Sequence, residues 1–279
     1  MSENILVTGG TGKTGRRVVE RLKKRGYSTR IASRNPKSSS TVRFDWKDHS
    51  TFEAAFNDVR AIYLVAPTDD FDTIGAMKPA LEAAIKAGVS RFVLLSASSL
   101  DENGPMMGAV HAWLRQNAQE WSVLRPSWFM QNFSEGQHLD PIRNEASLFS
   151  ATEDGRVGFI DAEDIANCAA TLLAAPSVDN TDHILTGPDA ITYGDVAEAL
   201  TKHLGRKIKH HRLTPEGVAA RFRSMGLPEA YAETLAAMDT AIAGGSENQV
   251  TDSVHAITGK IPTSVENFIE RNLKTWQAN

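Results

Sequence analysis

The sequence predicts an α/β protein: a doubly wound parallel sheet with helices on both faces, followed by a smaller, mostly helical C-terminal cap. The first half alternates short apolar runs with helix-like segments, and nearly continuous apolar runs are typical of strands buried on both faces. A glycine-rich turn joins the first strand to the first helix. After Pro126 the alternation weakens. We therefore predict a core over residues 1–126 and a substrate-binding cap over 127–279, with segments near 157–175 and 183–187 returning to the core.

Six strands can be read in order along the first half, separated by amphipathic segments with helical spacing. The predicted strands are 5–7, 29–32, 42–44, 61–65, 91–95 and 121–124, and the predicted helices are 16–24, 50–57, 74–87 and 107–119. Gly26 and Gly88 end two of these helices, where a left-handed residue is favoured. Further on we expect strands at 158–160, 183–185 and 206–212, helices from near 161 and over 192–204, and a helix-rich region over 214–244.

Composition excludes several classes of protein. The net charge of -4 gives no basic excess for a nucleic-acid surface, so we expect no nucleic-acid partner. No apolar stretch approaches the ~18 residues that span a bilayer, and no signal peptide is apparent, so no membrane association and a cytoplasmic location are expected. Cys168 is the single cysteine and lies in an apolar helical pattern, which indicates a packed core thiol. A monomer and a homodimer are both open.

The pattern Gly9-x-x-Gly12-x-x-Gly15 lies between a strand and a helix, the context that makes it a dinucleotide-binding turn of the Rossmann type. Glycines let the backbone turn tightly and approach a pyrophosphate, and the helix N-terminus presents N–H groups to it. An ATP phosphate loop would need a glycine at position 7, which is Val7. The predicted cofactor contacts in this turn are Gly9, Gly10, Thr11, Gly12, Lys13, Thr14 and Gly15.

The residues that follow the second strand indicate whether the dinucleotide is NAD or NADP. A site specific for NAD usually places an acidic residue there to hold the ribose hydroxyls. Here the sequence Ser33-Arg34-Asn35-Pro36-Lys37 has no acid and two positive charges. Arg34 can bind a 2'-phosphate through its fork of donors, with Lys37 adding charge and Ser33 lying alongside. We therefore predict NADPH/NADP+ as the cofactor.

Other strand ends extend the predicted site, because ligands of such sheets bind beyond the carboxyl ends of the strands. Asp45 and Trp46 follow the third strand, where they would border the adenine. Ala66 and Pro67 follow the fourth, beside the nicotinamide ribose. Ser96 and Ala97 follow the fifth and are also predicted cofactor contacts.

Longer stretches of the chain resemble a known family. Residues 8–15, 33–36 and 124–133 resemble the NmrA-like atypical short-chain dehydrogenases. Residues 91–99, 104–111, 192–197 and 238–243 are similar, more closely, to the festuclavine and agroclavine dehydrogenases of ergot alkaloid synthesis. The resemblance implies an NADPH-dependent reductase of a small imine, iminium or quinone acceptor. Some members of the wider family bind the dinucleotide without catalysis and act as redox-sensing regulators, an alternative that stays open.

The Tyr-x-x-x-Lys pair of ordinary short-chain dehydrogenases is absent. The four tyrosines are Tyr27, Tyr63, Tyr193 and Tyr231, and none has a lysine four residues later. A carbonyl reduction would lack its usual acid, which contributes about a hundredfold to ten-thousandfold in rate. Hydride transfer to an iminium carbon needs no proton, and a quinone can take its proton from water. The sequence therefore favours acceptors that are already activated.

Candidate catalytic and substrate residues follow from position. His111 stands where the Tyr-Lys pair would ordinarily lie and could donate a proton near neutral pH, although a half-buried structural histidine is equally consistent with the pattern. Arg125 is expected to tie the cap to the sheet. The eight histidines show no ligand spacing, so no metal site is predicted. A flat or cyclic small-molecule substrate would contact an apolar wall, to which Met106 and Met130 could also belong, with Asn132 and Gln131 as the orienting polar groups. The predicted substrate contacts are Met107, Trp128, Phe129, Asn132, Phe133 and Tyr231.

Overall fold

The computed structural model describes residues 4–38, 40–67 and 72–277. The strands are β1 Ile5–Val7, β2 Thr29–Ser33, β3 Thr41–Arg43, β4 Ala61–Leu64, β5 Arg91–Leu95, β6 Glu120–Pro126, β7 Ser147–Ser150, β8 Thr181–Leu185 and β9 Lys209–Arg212. The helices are α1 Gly15–Lys24, α2 Phe52–Phe56, α3 Thr73–Lys86, α4 Met107–Asn117, α5 Gln131–Ser134, α6 Leu139–Glu145, α7 Ala162–Ala174, α8 Tyr193–Leu204, α9 Pro215–Ser224, α10 Glu229–Ala243, α11 Ser253–Thr258 and α12 Val265–Arg271. Short 3₁₀ turns lie at His49–Thr51 and Leu273–Trp276.

The main sheet confirms the predicted fold class. Within the described residues its seven strands run in the order β3-β2-β1-β4-β5-β6-β8, and every neighbouring pair is parallel. The chain moves outward from β1 to β3 and then returns to β4 on the other side of β1. The strand order therefore reverses between β1 and β4, where the carboxyl ends of a doubly wound sheet leave a crevice for a ligand.

The chain divides into two compact units. The first contains Met1–Pro126, Ala162–Leu185 and Ser253–Lys260, and the second contains Ser127–Asp161, Thr186–Asp252 and Ile261–Asn279. The main sheet lies in the first unit, and β7 pairs with β9 in parallel in the second. The functional division into a cofactor-binding core and a substrate-binding cap stays a prediction.

Side chains alternate between the two covered faces of the main sheet. On one face Phe92 packs in a core with residues of α2, α3 and α4. On the other, Arg91 donates to the Leu172 carbonyl near the end of α7. Cys168 in α7 is completely buried, and burial raises the pKa of its thiol to about 12, so it is the packed core thiol that the sequence predicts.

The second unit has a separate aromatic core. Phe133 packs edge-on against Phe159 and Tyr193, with ring centroids 5.2 and 5.8 Å away. Trp276 is fully buried and its indole N–H donates to the Phe133 carbonyl at 2.8 Å. This hydrogen bond attaches the end of the described chain to the centre of the unit.

Within the described residues, no helix combines the length and the apolar character needed to cross a bilayer.

The predicted strand at 158–160 is wrong. Ile160 forms only an isolated bridge to Phe129, and the neighbouring Val157 forms another to Ile191. The Gly158 backbone passes so close to the Gln249 carbonyl that a Cβ atom would lie 2.6 Å from it. Residues 158–160 are therefore buried by contacts with several segments, and they form no continuous β-ladder with a neighbouring strand.

A buried arginine joins β5, β6 and the end of α7. The Arg91 side chain is 1% exposed and makes a two-pronged contact with Glu120, both N···O distances being 2.9 Å. We expect Arg91→Met to lower the free energy of unfolding by about 3–5 kcal/mol, because Glu120 and the helix-end carbonyls lose their donor. Urea denaturation measures this change.

The matched control is Arg43→Met, since Arg43 is 67% exposed and pairs with Asp48 at the surface. It should change the free energy of unfolding by less than about 1 kcal/mol. Equal effects of the two substitutions would contradict the structural role of Arg91.

Candidate active site

A cavity of about 540 Å³ opens at the carboxyl ends of β1, β2, β3 and β4. It lies at the reversal of strand order that the fold identifies as a ligand site. All of the described residues that line it belong to the first unit. The lining residues are Thr8, Gly9, Thr11, Ala32, Ser33, Arg34, Asn35, Phe44, Asp45, Trp46, Lys47, Val65, Ala66 and Pro67.

The turn after β1 is wound so tightly that two of its glycines cannot carry a side chain. Gly9 has φ +59°, a left-handed conformation, and its carbonyl accepts the Gly12 N–H at 2.9 Å. A Cβ atom on Gly15 would lie 2.2 Å from the Gly9 oxygen and 2.8 Å from the Gly10 Cα. The first residue of α1 is thus pressed against the turn, which brings the helix N-terminus to the strand end.

The N-terminus of α1 is suited to an anion. Thr14 stands at the helix start without a side-chain cap hydrogen bond, and the first turn contains no acidic residue. The partial positive charge of the helix end is therefore not neutralised by a carboxylate of its own first turn. This geometry fits a pyrophosphate bound at the glycine turn.

Thr8 joins the two strand ends on either side of the crevice. Its hydroxyl donates to the Tyr63 carbonyl at 3.0 Å and accepts the Val65 N–H at 2.7 Å. Val65 in turn packs against the turn, because a Cβ atom on Gly9 would lie 2.9 Å from the Val65 Cβ. The exits of β1 and β4 are therefore fixed relative to each other on the cavity wall.

The exits of β2 and β3 supply the charged and aromatic part of the wall. Arg34 is exposed on the rim, and its side chain has no hydrogen bond or ion pair within the described part of the chain. Asp45 accepts the Lys47 backbone N–H at 3.0 Å, which shapes the loop after β3. The Trp46 ring is held edge-on by Phe44 at 4.8 Å. The wall thus includes a guanidinium that has no ion pair among the described residues, and a fixed aromatic ring.

The cavity brings together half of the residues predicted to contact the cofactor. Gly9, Thr11, Ser33, Arg34, Asp45, Trp46, Ala66 and Pro67 line it, whereas Gly10, Gly12, Lys13, Thr14, Gly15, Lys37, Ser96 and Ala97 do not. Three of the latter are glycines that shape the turn, and Lys37 is exposed. Six lining residues were not predicted as contacts, namely Thr8, Ala32, Asn35, Phe44, Lys47 and Val65. Each adjoins a predicted contact, so the strand-end rule could have found them.

His111 lies inside the first unit rather than on the cavity wall. It is 2% exposed, its ring lies 5.3 Å from that of Trp121, and its Nδ1 has no hydrogen-bond partner among the described residues. Burial lowers the pKa of His111, although Asp182 and Glu102 act in the opposite direction. The ring is closed to solvent, and the lowered pKa disfavours its protonated form. The structural interpretation of His111 fits this placement, and that of an accessible acid does not.

Arg125 differs from its predicted role of tying the cap to the sheet. Its guanidinium donates to Asp182 of β8 at 2.8 Å, to the Ser98 carbonyl at 2.8 Å and to Asp101 at 2.5 Å. All three partners belong to the first unit. Arg125 therefore joins β6 to β8 and to the loop that follows β5.

Phe133 also differs from its predicted role as a substrate contact. It is 2% exposed at the centre of the second unit's aromatic core, so a ligand has no access to its ring. Trp128 is half-buried and packs against the same core. Phe133, one of the apolar residues that follow Arg125, therefore packs in the core of the second unit and does not line a substrate pocket.

The other predicted substrate contacts keep some accessible surface. Met107 is half-buried against the core of the first unit. Phe129 and Asn132 are half-buried in the second unit, and Tyr231 on α10 is 56% exposed. Their contact with a substrate stays a prediction.

None of the four tyrosines lines the cavity. Tyr63 and Tyr193 are buried, and burial raises the pKa of both phenols. The Tyr27 hydroxyl donates to the Ala174 carbonyl at 3.1 Å, and Tyr231 lies in the second unit. The cavity wall therefore contains no tyrosine acid.

The profile of the NmrA-like family matches residues 1–269 of the chain. An uncharacterized oxidoreductase of Bacillus subtilis, YesF, is 42% identical over 99% of this chain and 98% of its own length. The agroclavine dehydrogenase of Claviceps fusiformis is 38% identical over 98% of each chain. Among solved structures, the NADPH-dependent quinone oxidoreductase of Escherichia coli in complex with NADPH superposes with a TM-score of 0.83 at 20% identity, over 96% of this chain and 99% of that one.

The contact at Gly15 gives a test of the site. We expect Gly15→Ala to raise the Kd for NADPH at least tenfold, and to lower the free energy of unfolding by about 1–3 kcal/mol, because the added methyl forces the turn open. Fluorescence titration with NADPH and urea denaturation measure the two effects.

Gly217→Ala in α9 is the matched control, since its Cβ atom would have ordinary contacts of 3.4 Å or more. It should leave NADPH affinity unchanged and add up to about 1 kcal/mol of helix stability. Wild-type NADPH affinity in Gly15→Ala would contradict the assignment of the turn.

Proposed function

We propose that the chain, which belongs to the NmrA-like family, is an NADPH-dependent oxidoreductase that reduces a small electron-poor acceptor such as an imine, an iminium ion or a quinone. The observation that carries the proposal is the cavity at the exits of β1 to β4, with Arg34 on its rim and without an ion pair among the described residues. No acidic residue follows β2, where a site specific for NAD would hold the ribose.

The residues of the cavity fit the parts of NADPH. The glycine turn and the α1 N-terminus would hold the pyrophosphate, since the backbone there is close and positively polarised. Arg34 would bind the 2'-phosphate, and Trp46 would lie beside the adenine. The exit of β4, from Val65 to Pro67, would border the nicotinamide ribose. Bound NADPH supplies the hydride.

The proposed class of acceptor rests on the absence of a tyrosine from the described residues that line the cavity. Reducing a carbonyl to an alcohol needs a hydride and a proton, and neither a tyrosine nor the buried His111 can deliver that proton here. A hydride added to an iminium carbon gives a neutral amine with no proton transfer. A quinone takes one hydride and one proton, and water can supply the proton. Positioning of the acceptor then accounts for most of the rate.

The relatives support this chemistry. The sequence relatives are named as an oxidoreductase and as a dehydrogenase, and they align with nearly the whole chain. The E. coli protein that shares the fold reduces quinones with NADPH. We infer the same cofactor for this chain, and an acceptor from the same range of electron-poor molecules.

A second candidate function is a redox-sensing regulator that binds NADP(H) without turnover and contacts a protein partner. The observation in its favour is the exposed pair Tyr231 and Met238, which lie on α10 and are 56% and 41% exposed. Residues seven apart share one face of a helix, so the pair could form part of a contact surface.

Turnover separates the two candidates. We expect the wild-type protein to oxidise NADPH, followed by its absorbance, with at least one member of a panel of cyclic imines, iminium salts and quinones. Iminium salts should be reduced fastest, because they need no proton. Tight NADPH binding without turnover of any panel member would instead favour the regulator.

Arg34→Ala tests the choice of cofactor. We expect the Kd for NADPH to rise by about 10-fold to 150-fold, since a charge-assisted contact contributes about 1.5–3 kcal/mol, whereas the Kd for NADH should change little. Arg43→Ala is the control, because Arg43 is exposed on β3 and does not line the cavity. Equal losses for the two cofactors in Arg34→Ala would contradict the 2'-phosphate contact.

A further inference from the structure

The loop between β5 and α4 is fixed from within the first unit. It leaves the sheet beside the exit of β4, since β4 and β5 are neighbours. Arg125, whose side chain is 10% exposed, donates to the Ser98 carbonyl and to the Asp101 carboxylate. A second ion pair joins Glu102 to Arg115 of α4 at 2.8 Å. These contacts fix the conformation of the loop without a bound ligand.

The same loop is wound tightly against the first turn of α4. A Cβ atom on Gly108 would lie 2.2 Å from the Asp101 carbonyl oxygen, so the helix begins directly against the loop. The Gly104 N–H donates to that carbonyl at 2.9 Å. The position of Asp101, which Arg125 holds, thus sets the path of residues 102–107.

Met106 occupies a backbone conformation that normally belongs to glycine. Its φ is +54° and its ψ is -120°, and the Gly108 N–H donates to the Pro105 carbonyl at 3.0 Å across it. This is the first central position of a type II' turn, where glycine predominates. A side chain in such a conformation costs of order 1–3 kcal/mol. Met106 is also 39% exposed, so part of its apolar side chain stays accessible to a ligand.

We propose that Met106 is a specificity-determining contact for the acceptor, and that Arg125 is a positioning residue that holds the loop carrying it. The inference rests on the proposed reductase function. The loop leaves β5 beside the exit of β4, which lines the cavity and where the nicotinamide ribose is expected. Met106 does not line the cavity itself, and the proposal places its side chain on the acceptor side of the cofactor. A strained residue with an exposed apolar side chain indicates a role other than stability.

The chemistry of methionine suits the acceptors proposed above. Its thioether is polarisable and makes favourable contacts with aromatic rings, and its flexible chain adapts to different ring shapes. It carries no proton and no charge. Met106 would therefore stack on a flat, electron-poor ring and orient it without taking part in proton transfer.

Replacing Met106 by glycine separates strain from ligand contact. We expect Met106→Gly to lower the equilibrium constant of unfolding about fivefold, because glycine adopts the backbone conformation of this turn without strain. The same change should raise the KM for N-methyl-dihydroisoquinolinium and for a naphthoquinone about tenfold, since an apolar contact is lost, with an unchanged Kd for NADPH. Met106→Leu should raise the KM only about twofold, because it keeps the apolar contact and loses the contact between sulfur and ring, and it should show no gain in stability.

The matched control is Met225→Gly, because Met225 is 42% exposed but has an ordinary backbone φ of -84°. It should not gain stability and should leave the KM unchanged. A Met106→Gly variant that is no more stable than wild type, or that keeps the wild-type KM, overturns the inference while the reductase function stands. Absence of turnover by the wild-type protein with both acceptors overturns the proposed function and this inference with it.

Asp101→Asn tests the positioning role of Arg125 without removing the buried guanidinium. The substitution weakens the contact that fixes the loop, so the KM for both acceptors should rise about twofold to fivefold with an unchanged Kd for NADPH. Glu20→Gln, at an exposed ion pair on α1, is the control and should change neither constant. An unchanged acceptor KM in Asp101→Asn contradicts the role of Arg125.

Discussion

The contact of the first residue of α1 with the glycine turn is the constraint on which the site depends. Gly15 lies so close to the Gly9 carbonyl that no side chain fits between them. This contact places the positive end of α1 directly beyond β1, at the reversal of strand order. Thr8 then fixes the exit of β4 to that of β1, and the parallel register carries β2 and β3 to the same edge. The cavity is the space that these four strand ends enclose.

Most of the first unit could be predicted from sequence because its strands are buried on both faces. Continuous apolar runs such as 5–7 and 92–95 leave little choice of structure, and the turn glycines mark where several helices begin or end. Half of the residues predicted as cofactor contacts line one cavity, and their contact with the cofactor stays a prediction. β7 was missed, because Ser147–Ser150 contains only two apolar residues and pairs with the polar β9.

The errors concern residues whose role depends on distant packing. The run 158–160 has the composition of a strand, but it contacts several segments of the second unit and no ladder forms. Position along the chain suggested Phe133 as a substrate contact and His111 as a proton donor, but both side chains are buried. Arg125 was expected to bridge to the cap, and its partners are Ser98, Asp101 and Asp182 of the first unit. Sequence distance gives no information about such partners, since they meet only in the folded chain.

The central claim is that the cavity at the exits of β1 to β4 binds NADPH through Arg34. A crystal structure of the protein soaked with NADP+ tests it most directly. We expect the pyrophosphate against the N–H groups at the start of α1, and the 2'-phosphate within hydrogen-bond distance of the Arg34 guanidinium. A dinucleotide bound elsewhere, or one bound in the cavity with its 2'-phosphate away from Arg34, would show that Arg34 does not bind the 2'-phosphate.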